Sequence, residues 1–256
     1  MTTPEPRRRP RAGVVLKTVL FGIIAFATAA ACIRLGIWQL DRLEQRRAQN
    51  ALIRARGESV SGVASIKGLD TAQTHWRRVR VRGVPDYQAE LVHATRSQNG
   101  SPGVHLLTPV RPLDGEWGDT AVLVLRGFLA AADGRTIDWD AARDADTLEF
   151  EALVTSFSPR RPGNVRMPSA ARAVRFVDRD TLAAMMGRPL APFVLLALGD
   201  TIVRDVTRPA RIPPPSLGEG AHQSYAFQWF AFAAVAIVGF VAFTVAGNRK
   251  DGPRDV

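Results

Sequence analysis

The sequence predicts an α+β protein in which two transmembrane helices flank an extramembrane, mainly antiparallel β domain with one or two helices. Three observations carry that prediction. Two stretches, Thr18 to Ile33 and Phe227 to Ala246, hold no charged residue. Between them the apolar positions alternate with a period of two in several short runs. Clusters of Gly, Pro, Asn and Asp punctuate those runs, as turns between strands require. The 46% apolar content of the 256 residues excludes disorder throughout, and a single Cys excludes a disulfide scaffold or a Cys-based zinc ribbon. The net charge of +10 and the mean hydropathy of -0.03 average over greasy ends and a polar middle.

Residues 1–13 form a basic tail carrying Arg7, Arg8, Arg9 and Arg11. Residues 14–34 then supply the roughly 20 apolar positions that a helix needs to cross a bilayer core. A cleaved signal is the rival reading, with Cys32 as a lipoprotein terminus, but Ala29 stands where Leu is expected and the helical pattern runs straight on. From Leu35 the chain has strong helix formers and no Pro, so the helix continues to about Arg56, with Gly57 as its stop. Arg34, Trp38 and Arg42 share one face at four-residue spacing, and Gln39 and Arg46 lie close beside it. Such a face either grips an anion or anchors the helix at the lipid headgroups, and the residues alone leave both open.

The domain proper extends to residue 226. Val79 and Val81 alternate with Arg78, Arg80 and Arg82, a strand with an arginine face. Leu91 to Thr95 and Val104 to Val110 flank Asn99-Gly100 and pair as a hairpin. Thr120 to Leu125 is a further strand, broken at Arg126-Gly127 and resuming at Phe128, and Leu148 to Phe157 another. Asp178 or Asp180 caps a short helix, Thr181 to Met186, that Gly187 closes. Pro192 to Leu198 is the last strand, and Pro209 with Pro213 to Pro215 makes a stiff connection to the second span, residues 227–246. Residues 247–256 are a second basic tail with Arg249, Lys250 and Arg254.

Eight basic residues flank the termini, counting Lys17, against six at the other membrane ends: Arg34, Arg42, Arg46, Arg47, Arg208 and Arg211. The middle segment is too long for its charges to oppose translocation, so both tails are expected in the cytoplasm and the domain in the periplasm. The short tail has no Ser, unlike a mitochondrial presequence, which points to a multi-pass protein of the bacterial inner membrane. The lipid bilayer is thus one partner. Nucleic acid is not expected, because the domain's basic residues are not interleaved with aromatics.

The usual catalytic constellations are missing: the sequence has no Gly-x-Ser-x-Gly, no His-Glu-x-x-His and no phosphate loop. Lys67, the one lysine of the domain, sits in the glycine-flanked run Ser61 to Gly68, which reads as a loop. His75, His93 and His105 are scattered, although His93 and His105 face each other if the hairpin pairs. His222 differs. It opens the second span, and on a helix His222, Tyr225 and Trp229 share one face. An imidazole above aromatic rings suits an axial ligand to haem iron, with arginines for the propionates; an aromatic belt with a surface histidine is the alternative.

Leu35-Gly36-Ile37-Trp38-Gln39-Leu40-Asp41-Arg42, Val124-Leu125-Arg126-Gly127-Phe128 and His222-x-x-Tyr225-Ala226-x-x-Trp229-Phe230 resemble the Surfeit locus protein 1 family of cytochrome c oxidase assembly factors. Asn99-Gly100, Gly103 and Thr108-Pro109 are similar to that family's central hairpin. The resemblance implies a non-enzymatic role in maturing the oxidase, with haem a received near the second span and passed to oxidase subunit I; haem A synthase is a further implied partner. It places the iron ligand at His222 and carries the Trp-Gln-x-x-Arg motif to Trp38, Gln39 and Arg42, with Tyr225 and Trp229 against the ring. A haem-independent scaffold for assembly intermediates is the alternative. Two departures stand out: Gly220-Ala221 replaces Asn-Asn before the histidine, and Phe128 stands where Trp is usual.

Overall fold

The computed structural model describes residues 12–158, 166–167, 170–199 and 208–250. Arg7, Arg8, Arg9, Arg11 and Arg254, on which the expected orientation leans, lie outside the described residues, as do the side chains of Arg249 and Lys250. The chain divides into two units, one of residues 1–50 and 217–256 and one of residues 51–216.

The first unit contains most of α1 (Ala12–Gly57), one uninterrupted helix ending where Gly57 was expected to stop it, and α4 (His222–Lys250). Both are long and apolar enough to cross a membrane. Leu16, Phe227 and Val235 are each more than two-thirds exposed. Side chains of that kind on a helix surface are stable against lipid rather than water.

In the second unit nine strands form one sheet: β1 (Val60–Gly62), β2 (Arg78–Pro85), β3 (Leu91–Gln98), β4 (Ser101–Pro112), β5 (Ala121–Ala130), β6 (Leu148–Thr155), β7 (Arg166–Met167), β8 (Ala170–Val174) and β9 (Leu190–Ala197). Their order is β1-β2-β6-β9-β5-β4-β3-β8-β7, and a further β2 to β4 pairing closes β2, β6, β9, β5 and β4 into a five-stranded barrel. Inward residues of those strands fill it, among them Val79, Val81, Val122, Val124, Val154, Phe193 and Leu195. On β2 the alternation is the expected one, with the valines buried and Arg80 and Arg82 outside. Arg78 and Arg80 both pair with Glu151 of β6.

The hairpin forms at Asn99-Gly100 and His93 lies opposite His105. Asp178 caps α3 (Arg179–Met186) by accepting from the Thr181 amide, and Gly187 closes it in the left-handed region. Leu182 and Met186 of α3 seal a second apolar cluster with Leu123 and Val194.

The structure corrects two expectations. β5 is not broken at Arg126-Gly127: Leu106 pairs with Gly127 and Leu107 with Leu125, so Arg126 is an extra residue in a bulge and the strand continues. Ser61 to Gly68 is not a plain loop. It holds β1, parallel to β2, and a 3-10 turn whose Val63 and Ile66 are buried in the barrel core. The mainly antiparallel sheet also contains parallel pairs, β1 with β2, β3 with β8 and β5 with β9.

Candidate functional site

The site predicted around His222 lies wholly within the helix pair. On α1 the residues turned inward are Ala25, Ala29, Cys32, Gly36, Gln39 and Leu43, stepping by four and three residues alternately. On α4 Ala226, Trp229, Ala233 and Ala236 follow the same rhythm, and Ala29, Cys32, Ala233, Trp229 and Ala236 form one cluster. A repeat of that kind keeps one seam facing the partner helix, and small residues along it let the backbones approach. The approach is closest at Gly36, where a Cβ would fall 2.6 Å from Cε1 of Phe230. Further along the pair Phe26 meets Phe240 edge to face, and Phe21 packs against Phe240 at a tilt.

At one end the seam turns polar. Gln39 Oε1 lies 2.8 Å from His222 Nδ1. Arg47 grips both carboxylate oxygens of Glu219, at 2.8 and 2.9 Å. Asn50, buried on α1, donates to the Leu217 carbonyl at 2.8 Å. The order 39, 47, 50 on α1 against 222, 219, 217 shows the chain running antiparallel to α1 as it reaches α4. Three polar ties therefore fix the peptide just ahead of the histidine.

The first tie also sets the chemistry of the ring. An amide oxygen can only accept, so in this contact Nδ1 of His222 donates and Nε2 is left out of it. Gly220, at φ +71°, keeps the far edge of the ring open: a Cβ there would lie 3.4 Å from Cδ2 and 3.6 Å from Nε2. The left-handed conformation also accounts for the departure at this position, since Asn and Gly are the residues that adopt it most readily. An imidazole held through Nδ1 presents Nε2 as the atom that can ligate a metal.

The other predicted residues fall into two groups. Trp38 is about half exposed, and the Arg42 guanidinium stands 5.8 Å from its ring centroid while donating to Gln45. Tyr225 is likewise half exposed, on the turn after His222. Trp229 instead packs into the seam beside Cys32 and meets Phe232 edge to face. The structure thus joins His222 to Gln39 and Trp38 to Arg42. Gln39, read from sequence as a neighbour of the Trp38 face and as part of the Trp-Gln-x-x-Arg motif, turns out to be the partner of the histidine. The signal that could have found it is the alternating spacing of small residues, in which Gln39 occupies a seam position.

In the second unit the remaining histidines are accounted for locally. His75 Nδ1 lies 3.1 Å from the Ser156 hydroxyl. His93 and His105 stand with ring centroids 6.0 Å apart, and His93 Nε2 is 2.9 Å from the Arg175 carbonyl. Burial, with Arg96 nearby, lowers the pKa of each to about 4. Lys67 donates to the Glu116 carbonyl at the surface.

Sequence reasoning missed the role of Arg126. The bulge turns this fully buried side chain onto the equally buried Glu90 at 2.8 Å, with Asp144 at 2.9 Å and the Ala142 carbonyl at 2.6 Å. Thr108 donates to the same Glu90 oxygen. Burial pulls the Arg126 pKa down, but Glu90 and Asp144 outweigh it and hold it above the usual guanidinium value. Gly127 follows because a Cβ there would meet the Ala210 carbonyl at 2.5 Å, where residue 210 bridges to Phe128. The arginine-glycine motif is therefore an internal brace of the barrel domain.

Comparison with known proteins gives consistent results. The SURF1 family matches residues 26–234. A SURF1-like protein of Rickettsia conorii (strain ATCC VR-613 / Malish 7) is 23% identical over 225 residues, covering 86% of this chain and 89% of that protein. A SURF1-like protein of Rickettsia felis (strain ATCC VR-1525 / URRWXCal2) is 25% identical over 232 residues, covering 89% and 97%.

Proposed function

The chain belongs to the SURF1 family, and on that premise we propose that it is an assembly factor for cytochrome c oxidase which holds haem a through His222 and hands it to subunit I. The observation that carries this reading is the 2.8 Å contact between His222 Nδ1 and Gln39. The contact occupies Nδ1, so Nε2 is the atom that would hold the iron. Trp38 and Tyr225 offer exposed aromatic faces to an apolar macrocycle, and Arg42, one helical turn from Gln39, offers a guanidinium to its propionates. Trp229 has a supporting part, seating α4 against α1 below the ligand.

The cargo has to be released as well as held. His222 alone would hold the iron from this chain, and a single imidazole would suit release better than two. Both tails are in the cytoplasm and the second unit in the periplasm of the inner membrane under this reading, with haem A synthase as the donor side of the exchange.

Expression in cells that make haem A tests the proposal. The purified protein is expected to carry an a-type absorption band that His222→Ala greatly weakens. An unchanged band in the variant would remove His222 as ligand. A colourless protein that still copurifies oxidase subunits would make it a haem-independent scaffold.

A further inference from the structure

The barrel unit has a hollow of about 400 Å³ between the end of β2, the segment that follows it, β4, Arg143 and Arg188, which lies just beyond α3. Three arginines line it, Arg111, Arg143 and Arg188, with Asp86 and Tyr87. Their own contacts leave them undersatisfied. Arg188 Nη2 meets Asp86 at 2.5 Å, but its Nε is buried and has no hydrogen-bond partner among the described residues. Asp86 is itself committed elsewhere, its Oδ1 accepting from the amides of Gln88 and Ala89. Arg143 lies 5.7 Å from the Tyr87 ring centroid and reaches the almost fully exposed Asp140 only at 3.4 Å. Arg111, exposed on β4, has no charged partner among the described residues.

Three guanidinium groups and one carboxylate give the lining a net charge of +2. Like charges around one concavity repel unless an anion enters, and a concave wall of low dielectric strengthens the field at its centre. Planar guanidinium forks match the oxygens of phosphate, and the charge matches a dianion rather than a single carboxylate. We propose that this hollow is a binding site for a dianionic phosphate group, supplied either by a soluble phosphate or by a phospholipid headgroup. The site is separate from His222 and does not depend on the haem reading.

The full chain in detergent micelles, titrated calorimetrically with inorganic phosphate at low ionic strength and pH 8, tests the soluble source. Flotation with vesicles containing phosphatidic acid, against phosphatidylcholine alone, tests the lipid source. Arg111→Gln and Arg143→Gln are each expected to weaken binding about tenfold, the scale of one charge-assisted hydrogen bond. Asp86→Asn keeps the acceptor for the turn amides, removes the competing charge and is expected to tighten binding several-fold, a gain that a damaged fold cannot mimic. Binding in either arm that follows this pattern supports the site and identifies its source. No binding in both arms, or binding that all three variants leave unchanged, overturns it.

Discussion

Acidification should destabilise the barrel unit through His93 and His105. Both imidazoles are held near pKa 4 by burial and by Arg96, with His93 adding to the effect on His105, against an ordinary value of 6.5. In the folded state they bind fewer protons than in the unfolded chain, so stability rises with pH; the contribution is complete above about 6.5 and is lost as the pH falls towards 4. For values of 4 and 6.5, moving from pH 7 to pH 5 costs roughly 2 kcal/mol per imidazole, or about 3–4 kcal/mol for the pair. The groups facing the pair are Arg96, the Phe128 ring and the Arg175 carbonyl, and none of these titrates in that window. Asp133, held at about 2 by its hydrogen bonds to Thr136, releases its proton well below it. Urea unfolding of the full chain in detergent at pH 7, 6 and 5 measures the loss. His75 is also lowered by burial, so the diagnostic quantity is the difference between wild type and the double variant His93→Gln, His105→Gln. Gln at position 93 can still donate to the Arg175 carbonyl. If the double variant loses as much stability between pH 7 and pH 5 as the wild type, the pair is not the source and the reasoning fails.

Two further outcomes follow from the same geometry. Gln39→Leu removes the acceptor that orients His222 and should weaken haem a retention by about 10–100-fold, the usual effect of losing the partner of a metal-ligating histidine; Gln39→Glu restores an acceptor and should recover much of it, as read by the a-type band. Arg126→Met leaves Glu90 buried and uncompensated and should cost about 3–5 kcal/mol in denaturant unfolding, whereas adding Glu90→Leu to it should return most of that stability.

Local patterns made much of this molecule legible. The uncharged runs mark the two long helices because lipid demands continuous apolarity over a fixed length. The valine and arginine alternation of β2 and the Asn-Gly turn act within a few residues, and so does the Asp178 cap. Barrel closure does not: Gly83 to Pro85 must find Val110 to Pro112, and nothing in either tripeptide names the other. Arg126 was visible as a charge in an apolar strand, but its partner Glu90 lies 36 residues away, just ahead of β3. Gln39 and His222 are 183 residues apart, and only the packing of two helices brings them together. What sequence reading lacked in each case was the long-range partner rather than the character of the residue.

The closed barrel has a consequence for handling the protein. Exposed strand edges recruit other chains into intermolecular sheets. Here the strands at the two ends of the sheet are β1, with three residues, and β7, with two. Among the described residues neither offers a run long enough to template a neighbour. Precipitation on detergent removal should therefore arise from the apolar helices sticking to one another, and leave the native β content of the trapped protein intact in its infrared spectrum.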